Sequence, residues 1–156
     1  MENNYKLKKN EFGFYQVSPT PSAEEITKFY AEEFYTGEYK NFNDSSLEVQ
    51  INDKEFFEGR WNDIYNNFLE VDSNLKNGGS ILDVGCGWGL ALLYFKDKGF
   101  DCYGFDPAKE AVDYGCKKGL KIKHAGLEGM NVFENKKFNM VTMFNVLEHL
   151  ADPVKS

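Results

Sequence analysis

No stretch of this chain approaches the roughly 18 apolar residues of a membrane span. Its opening, Met1-Glu2-Asn3-Asn4-Tyr5, has no apolar signal-peptide core. These absences argue against a membrane protein and predict a cytoplasmic one. Cysteine is scarce: Cys86, Cys102 and Cys116 are odd in number and form no CxxC pair, which suggests neither a disulfide framework nor a structural zinc site. All three are expected to be buried or half-buried thiols. Basic charge is also short, with 18 Lys and Arg against 25 Asp and Glu and a net charge of −7. That balance disfavours general nucleic-acid binding and points to a small-molecule or protein substrate. What is present is a chain of 156 residues, 42% hydrophobic and 16% aromatic, enough for one folded domain with a sizeable core.

The organising stretch is Ile81-Leu82-Asp83-Val84-Gly85-Cys86-Gly87-Trp88-Gly89-Leu90. Ile81, Leu82 and Val84 read as a buried strand, and the run from Leu90 to Phe95 reads as a helix. Glycines at alternate positions between them let the backbone approach a ligand without a Cβ in the way, and the helix start turns its free amides toward it. In the dinucleotide fingerprint a third glycine would fall where Leu90 stands. Asp83 at the strand end would repel a pyrophosphate but accept hydrogen bonds from an ammonium group. The pair disfavours NAD and favours a ligand with a cationic amino-acid end.

This stretch resembles motif I of the class I S-adenosylmethionine (AdoMet)-dependent methyltransferases, an acid followed by G-x-G-x-G. A second segment, Val146-Leu147-Glu148-His149-Leu150-Ala151-Asp152-Pro153, resembles the V-L-E-H-L-x-D-P run after strand four of bacterial small-molecule methyltransferases. The resemblance covers residues 79–153, about half of the chain. It implies an α/β fold, a Rossmann-like methyltransferase sheet in a three-layer αβα sandwich.

The chain divides into an N-terminal arm and helical cap, 1–76, and an AdoMet-binding domain, 77–156. Pro19 and Pro21 mark a turn, preceded by Phe12, Phe14 and Tyr15 in a short strand or arm. Ser22 and Glu25 form a capping box, behind which Ile26, Phe29, Tyr30 and Phe34 share one helical face. Residues 35–53 look like an irregular connection, and a second helix is expected over 54–75. The aromatics here are expected to pack helices; in the alternative, one of Tyr30, Tyr35, Tyr39 or Trp61 closes over a ligand. After the glycine turn the pattern predicts strands over 100–105, 120–124 and 138–144, with a helix over 107–118 ended by Gly119.

Asp106 stands at the end of the second strand, where ligands gather in parallel sheets. A carboxylate there can accept both hydroxyl protons of a ribose, and it can also cap the helix that Pro107 begins. Ribose binding is the favoured role. The resemblance further assigns Asp83, Gly85, Gly87 and Gly89, with Cys86 in the same turn, to the methionine end of AdoMet. It sets Pro107 and Leu127 on the adenine faces, makes Glu128 an acceptor for the adenine amino group, and puts Asn145 near the methionine moiety. Relatives often carry an aspartate where this chain has Leu127.

For the chemistry, His149 is the candidate base, imidazole being suited to proton removal near neutrality, with Glu148 beside it to orient a donor. In some relatives this pair helps bind a divalent metal together with an acid three positions earlier; here that position is Asn145, a weaker ligand, so no metal site is assigned. In others the histidine is structural. His124 reads as a polar strand end.

The family sheet has seven strands, of which four are legible here, so a fragment of a longer protein is expected. Its exposed edge invites an association that covers it. The reading is therefore AdoMet-dependent methyl transfer to a small-molecule acceptor. The rivals are a non-catalytic AdoMet-binding or interaction module and an NAD-dependent oxidoreductase.

Overall fold

A computed structural model describes residues 6–34, 46–126, 131–150 and 153. Strand β1 (Lys6–Lys9) pairs antiparallel with β2 (Tyr15–Ser18), Lys6 opposite Ser18 and Lys9 opposite Tyr15. Of the residues expected in a short strand or arm, Tyr15 opens β2, whereas Phe12 and Phe14 lie in the connection between the two strands. Asn10 closes its turn, its side-chain oxygen accepting from the N–H groups of Phe12 and Phe14 at 3.0 and 3.2 Å. Helix α1 (Ala23–Phe29) opens on the expected capping box: the Ser22 N–H donates to Glu25 Oε2 at 2.8 Å and the Glu25 N–H to Ser22 Oγ at 3.2 Å. The helix then widens into a π-helical turn, Tyr30–Phe34.

The connection expected over 35–53 contains a helix, α2 (Leu47–Asn52), and residues 35–45 lie outside the described set. Ser46 starts this helix by accepting the Val49 N–H at 3.2 Å, a cap worth about 1 kcal/mol. Helix α3 (Lys54–Val71) stops short of the expected residue 75, because Asp72 is extended and its carboxylate takes the Asn74 N–H at 3.0 Å. A 3₁₀ turn, Ser73–Asn77, then leads to the sheet.

Four strands form that sheet: β3 (Ser80–Val84), β4 (Asp101–Asp106), β5 (Lys121–His124) and β6 (Met140–Thr142). Helix α4 (Leu90–Asp97) joins β3 to β4, and α5 (Lys109–Lys117) joins β4 to β5. All pairings are parallel and the order is β5-β4-β3-β6. The chain runs outward from β3 to β5, then returns past β3 to place β6 on its other side. That reversal makes the carboxyl ends of β3 and β6 a topological switch point, where open α/β sheets bind ligands. The fourth strand is shorter than expected over 138–144: the Asn139 side chain accepts from the Ser80 N–H at 2.9 Å just before it, and Asn145 takes a left-handed φ of 53° beyond it.

The core lies under α4 and α5. Ile81, Leu92 and Phe95 are wholly buried, with Ile122 and Met140 beside them. The Phe95 ring meets Phe100 at 5.8 Å, and Tyr65 of α3 meets Phe100 from the other side at 6.2 Å. Trp61 of α3 packs on Tyr94 at 5.9 Å, so α3 is bound to the helical layer rather than set apart from it. Side chains alternate along a strand, so Tyr103 points away from this layer. There Phe133 and Phe138 meet its ring at 5.3 and 5.5 Å, and Lys136 Nζ donates to its hydroxyl at 2.7 Å. Among the described residues this segment is what covers the second face, and Val141 of β6 stays 54% exposed there.

Candidate functional site

The glycine turn begins where β3 ends. The N–H groups of Gly85 and Cys86 both donate to the Phe105 carbonyl, at 3.0 and 3.1 Å, and the Gly89 N–H donates to the Cys86 carbonyl at 2.9 Å. Gly85, Gly87 and Gly89 have φ of 68°, 50° and 75°, the left-handed region that side chains rarely tolerate. Packing adds a second constraint: a Cβ on Gly85 would lie 2.6 Å from Val146 Cγ2, and one on Gly89 2.5 Å from Leu120 Cδ1. Trp88 is buried between them, its ring edge-on to Tyr114 at 5.8 Å, and ties the turn to α5.

Two buried carboxylates flank this turn. Asp83, 2% exposed, accepts from the Thr142 hydroxyl at 2.7 Å. Burial pushes its pKa up to about 7; the Thr142 bond opposes the rise and the Asp106 charge adds to it. Asp106, 5% exposed, accepts the Gly87 N–H on one oxygen and the Ala108 N–H on the other, both at 2.8 Å. Burial raises this pKa as well, against the two backbone bonds and the nearby His124. The Ala108 bond corrects the helix expected over 107–118: α5 begins at Lys109 with Ala108 as its cap residue, and Asp106 closes a short turn before it. Asp106 therefore braces the glycine turn against the loop after β4.

His124 lies opposite Asp106 in register, its Nε2 2.8 Å from the Pro107 carbonyl. The Cys86 thiol is pushed well up by burial and by the Asp83 and Asp106 charges, so it is a packing thiol. Cys102 is buried too, but Cys116 is exposed, against expectation: its Sγ lies 3.5 Å from the Ile122 carbonyl of β5, an edge strand of the sheet.

On the other side of the switch point, the chain leaving β6 brings Val146 against Gly85, and a 3₁₀ turn, Leu147–His149, follows. Glu148 Oε1 and His149 Nε2 are 3.9 Å apart and both side chains are accessible. The Tyr30 ring stands edge-on to His149 at 5.5 Å, so the N-terminal cap reaches the site. Burial raises the Tyr30 phenol to about 12, and the charges of Glu148 and Asp106 add to it. One side chain thus lies within the field of both the strand-end acid and the Glu-His pair.

The structure brings together Asp83, Gly85, Cys86, Gly87, Gly89 and Asp106, with Pro107 on the adjoining loop. Leu127 and Glu128, expected at the adenine, and Tyr35 and Tyr39, alternative lids, lie outside the described residues. Of the two remaining lid candidates, Trp61 is taken up by helix packing and Tyr30 stands against His149. Thr142 and Val146 belong to the site as partners that local patterning did not reveal. Among the described residues, no group of three or more His, Cys, Asp and Glu side chains could hold a metal ion, and no helix is long and apolar enough to cross a membrane.

The profile of a methyltransferase-domain family matches residues 54–155. The ubiquinone biosynthesis O-methyltransferase of Rickettsia prowazekii (strain Madrid E) is 34% identical over 76 residues, covering 46% of this chain and 30% of that protein. The probable (S)-tetrahydroprotoberberine N-methyltransferase 2 of Papaver bracteatum is 30% identical over 90 residues, 51% of this chain and 24% of that protein. The plantazolicin methyltransferase BpumL in complex with SAH superposes with a TM-score of 0.63 at 17% identity, over 83% of this chain and 49% of that chain, a likeness of fold. The chain spans 24–42% of the length of these and similar curated relatives.

Proposed function

This chain belongs to the methyltransferase-domain family, and from that premise we propose that it forms the AdoMet-binding part of an enzyme that methylates a small-molecule acceptor. One observation carries the reading: the glycine turn lies at the switch point of the sheet between two buried carboxylates, Asp83 and Asp106. A pyrophosphate would meet two acids there. A ligand with an ammonium group at one end and a ribose at the other matches them in sign and in hydrogen bonding.

In this reading Asp83 receives the ammonium, and Gly85, Cys86, Gly87 and Gly89 let the methionine end lie against the backbone. Asp106 spends one lone pair of each oxygen on Gly87 and Ala108, and the second pair of each remains for a ribose hydroxyl. Pro107, Leu127 and Glu128 serve the adenine, and Asn145 borders the methionine moiety. When bound, the sulfonium supplies an already activated methyl group. The protein's share is to align the acceptor with the carbon–sulfur bond and to exclude water. His149, partnered by Glu148, takes the acceptor's proton where it has one to lose.

Calorimetric titration of the 156-residue chain with AdoMet, SAH and NAD tests this. AdoMet and SAH are expected to bind with a dissociation constant on the order of micromolar, about −8 kcal/mol, and NAD not to bind. Asp106→Asn, nearly equal in shape, should weaken AdoMet by about tenfold or more. A folded chain that prefers NAD, or ignores all three, would sink the proposal. AdoMet binding with no methyl transfer to any acceptor would favour the non-catalytic module.

A further inference from the structure

A groove of about 740 Å³ opens between the N-terminal segment and the turn after β6, within the range of about 300–1,000 Å³ typical of small-molecule sites; Leu147 in its lining follows Val146, which lies against Gly85. One wall is the β1–β2 hairpin with α1, and the other is the turn that carries Glu148 and His149. Its surface is mostly apolar, and four aromatic rings line it: Phe14, Tyr15, Phe29 and Tyr30. Its fixed charges are of one sign. Among the described residues, Glu25 and Glu148 line it and no lysine or arginine does.

Each charge has a structural cause. Leu7 of β1 faces the groove, and strand alternation turns its neighbours Lys6 and Lys8 to the other side. Glu25 is held by the Ser22 N–H and hydroxyl at 2.8 and 2.9 Å, bonds that favour its ionised form. Tyr30 ties the groove to the candidate base, since its ring packs edge-on to His149.

We propose that this groove receives the methyl acceptor, and that the acceptor is a ring-bearing cationic amine with no anionic group. The inference rests on the cofactor reading above. Aromatic faces and carboxylates together attract an ammonium group, whereas a carboxylate or phosphate would enter a mostly apolar groove to meet two carboxylates and, among the described residues, no lysine or arginine. The proton balance is met by the groove itself. The ammonium gives one proton to His149, and the freed lone pair forms the new nitrogen–carbon bond. The carbon–sulfur bond breaks with its electron pair left on sulfur, and the product departs as a methylated ammonium.

The test uses two probes of one shape, 1-naphthylmethylamine and 1-naphthoate, titrated into the 156-residue chain with and without SAH. The amine is expected to bind tighter by about tenfold or more. Glu148→Gln, an accessible position, should reduce that preference to about threefold or less while the circular dichroism stays unchanged. Tyr30→Leu should weaken the amine more than the carboxylate. Equal binding of the two probes, a preference for the carboxylate, or a preference that survives Glu148→Gln overturns the groove assignment whatever SAH does. Preference for the amine in a chain that does not bind SAH overturns the cofactor reading, and with it the methyl-acceptor role, and leaves the groove as a site for a cationic amine.

Discussion

Replacing Asp83 by Asn isolates the energetic cost of the buried acid beside the glycine turn. Asn is nearly the same shape and keeps an oxygen to accept the Thr142 hydroxyl, so the packing of β3 against β6 should survive. In the folded chain Asp83 takes up its proton at about 7, against an ordinary value of 3.8. Between those values the folded state holds a proton that the unfolded state has lost, so stability falls as pH rises. Above about pH 7 both states are ionised and the slope vanishes. The whole gap corresponds to about 4 kcal/mol, of which about 2.5 kcal/mol is lost between pH 5 and pH 8. Urea denaturation followed by circular dichroism at pH 5 and pH 8 should therefore show the parent chain losing a few kcal/mol that Asp83→Asn retains. The stabilised variant should also bind AdoMet more weakly, because its ammonium partner is gone. A stability difference between the two chains that does not change with pH would refute the reasoning.

Gly85→Ala places a methyl group 2.6 Å from Val146 Cγ2 at a φ of 68°, and the backbone strain alone is worth about 1–2 kcal/mol. Thermal unfolding should show that loss, and AdoMet titration should show weakened binding as the turn shifts. Phe95→Ala empties a wholly buried position in contact with Phe100 and should cost about 3–5 kcal/mol. In urea denaturation a cost below about 1 kcal/mol would mean that α4 does not hold the core as described.

Much of the site is legible in short stretches of chain. The apolar run ending at Val84, the alternate glycines and the helical run from Leu90 are each set by neighbours in sequence, and they fold as read. The capping box at Ser22 and Glu25 is likewise complete within four residues. The acid at the end of β4 is placed by strand length alone. Where the structure departs from the sequence pattern, a short-range competitor decides: Ser46 starts α2, Asp72 ends α3, and Asp106 closes a turn so that α5 begins two residues late.

Strand order, and everything that depends on it, came from the tertiary structure. Thr142 meets Asp83 across 59 residues of sequence, and only because β6 returns to the far side of β3. Val146 fills the space a Cβ on Gly85 would need, and Tyr30 reaches His149 from the opposite end of the described chain. Local patterns record which backbone conformation a segment prefers, because propensity and side-chain period act between residues a few positions apart. Burial, which raises the carboxylate pKa values, and the one-signed charge of the groove arise between segments that meet only in the folded chain. Their energies depend on distance in space, which no local pattern encodes.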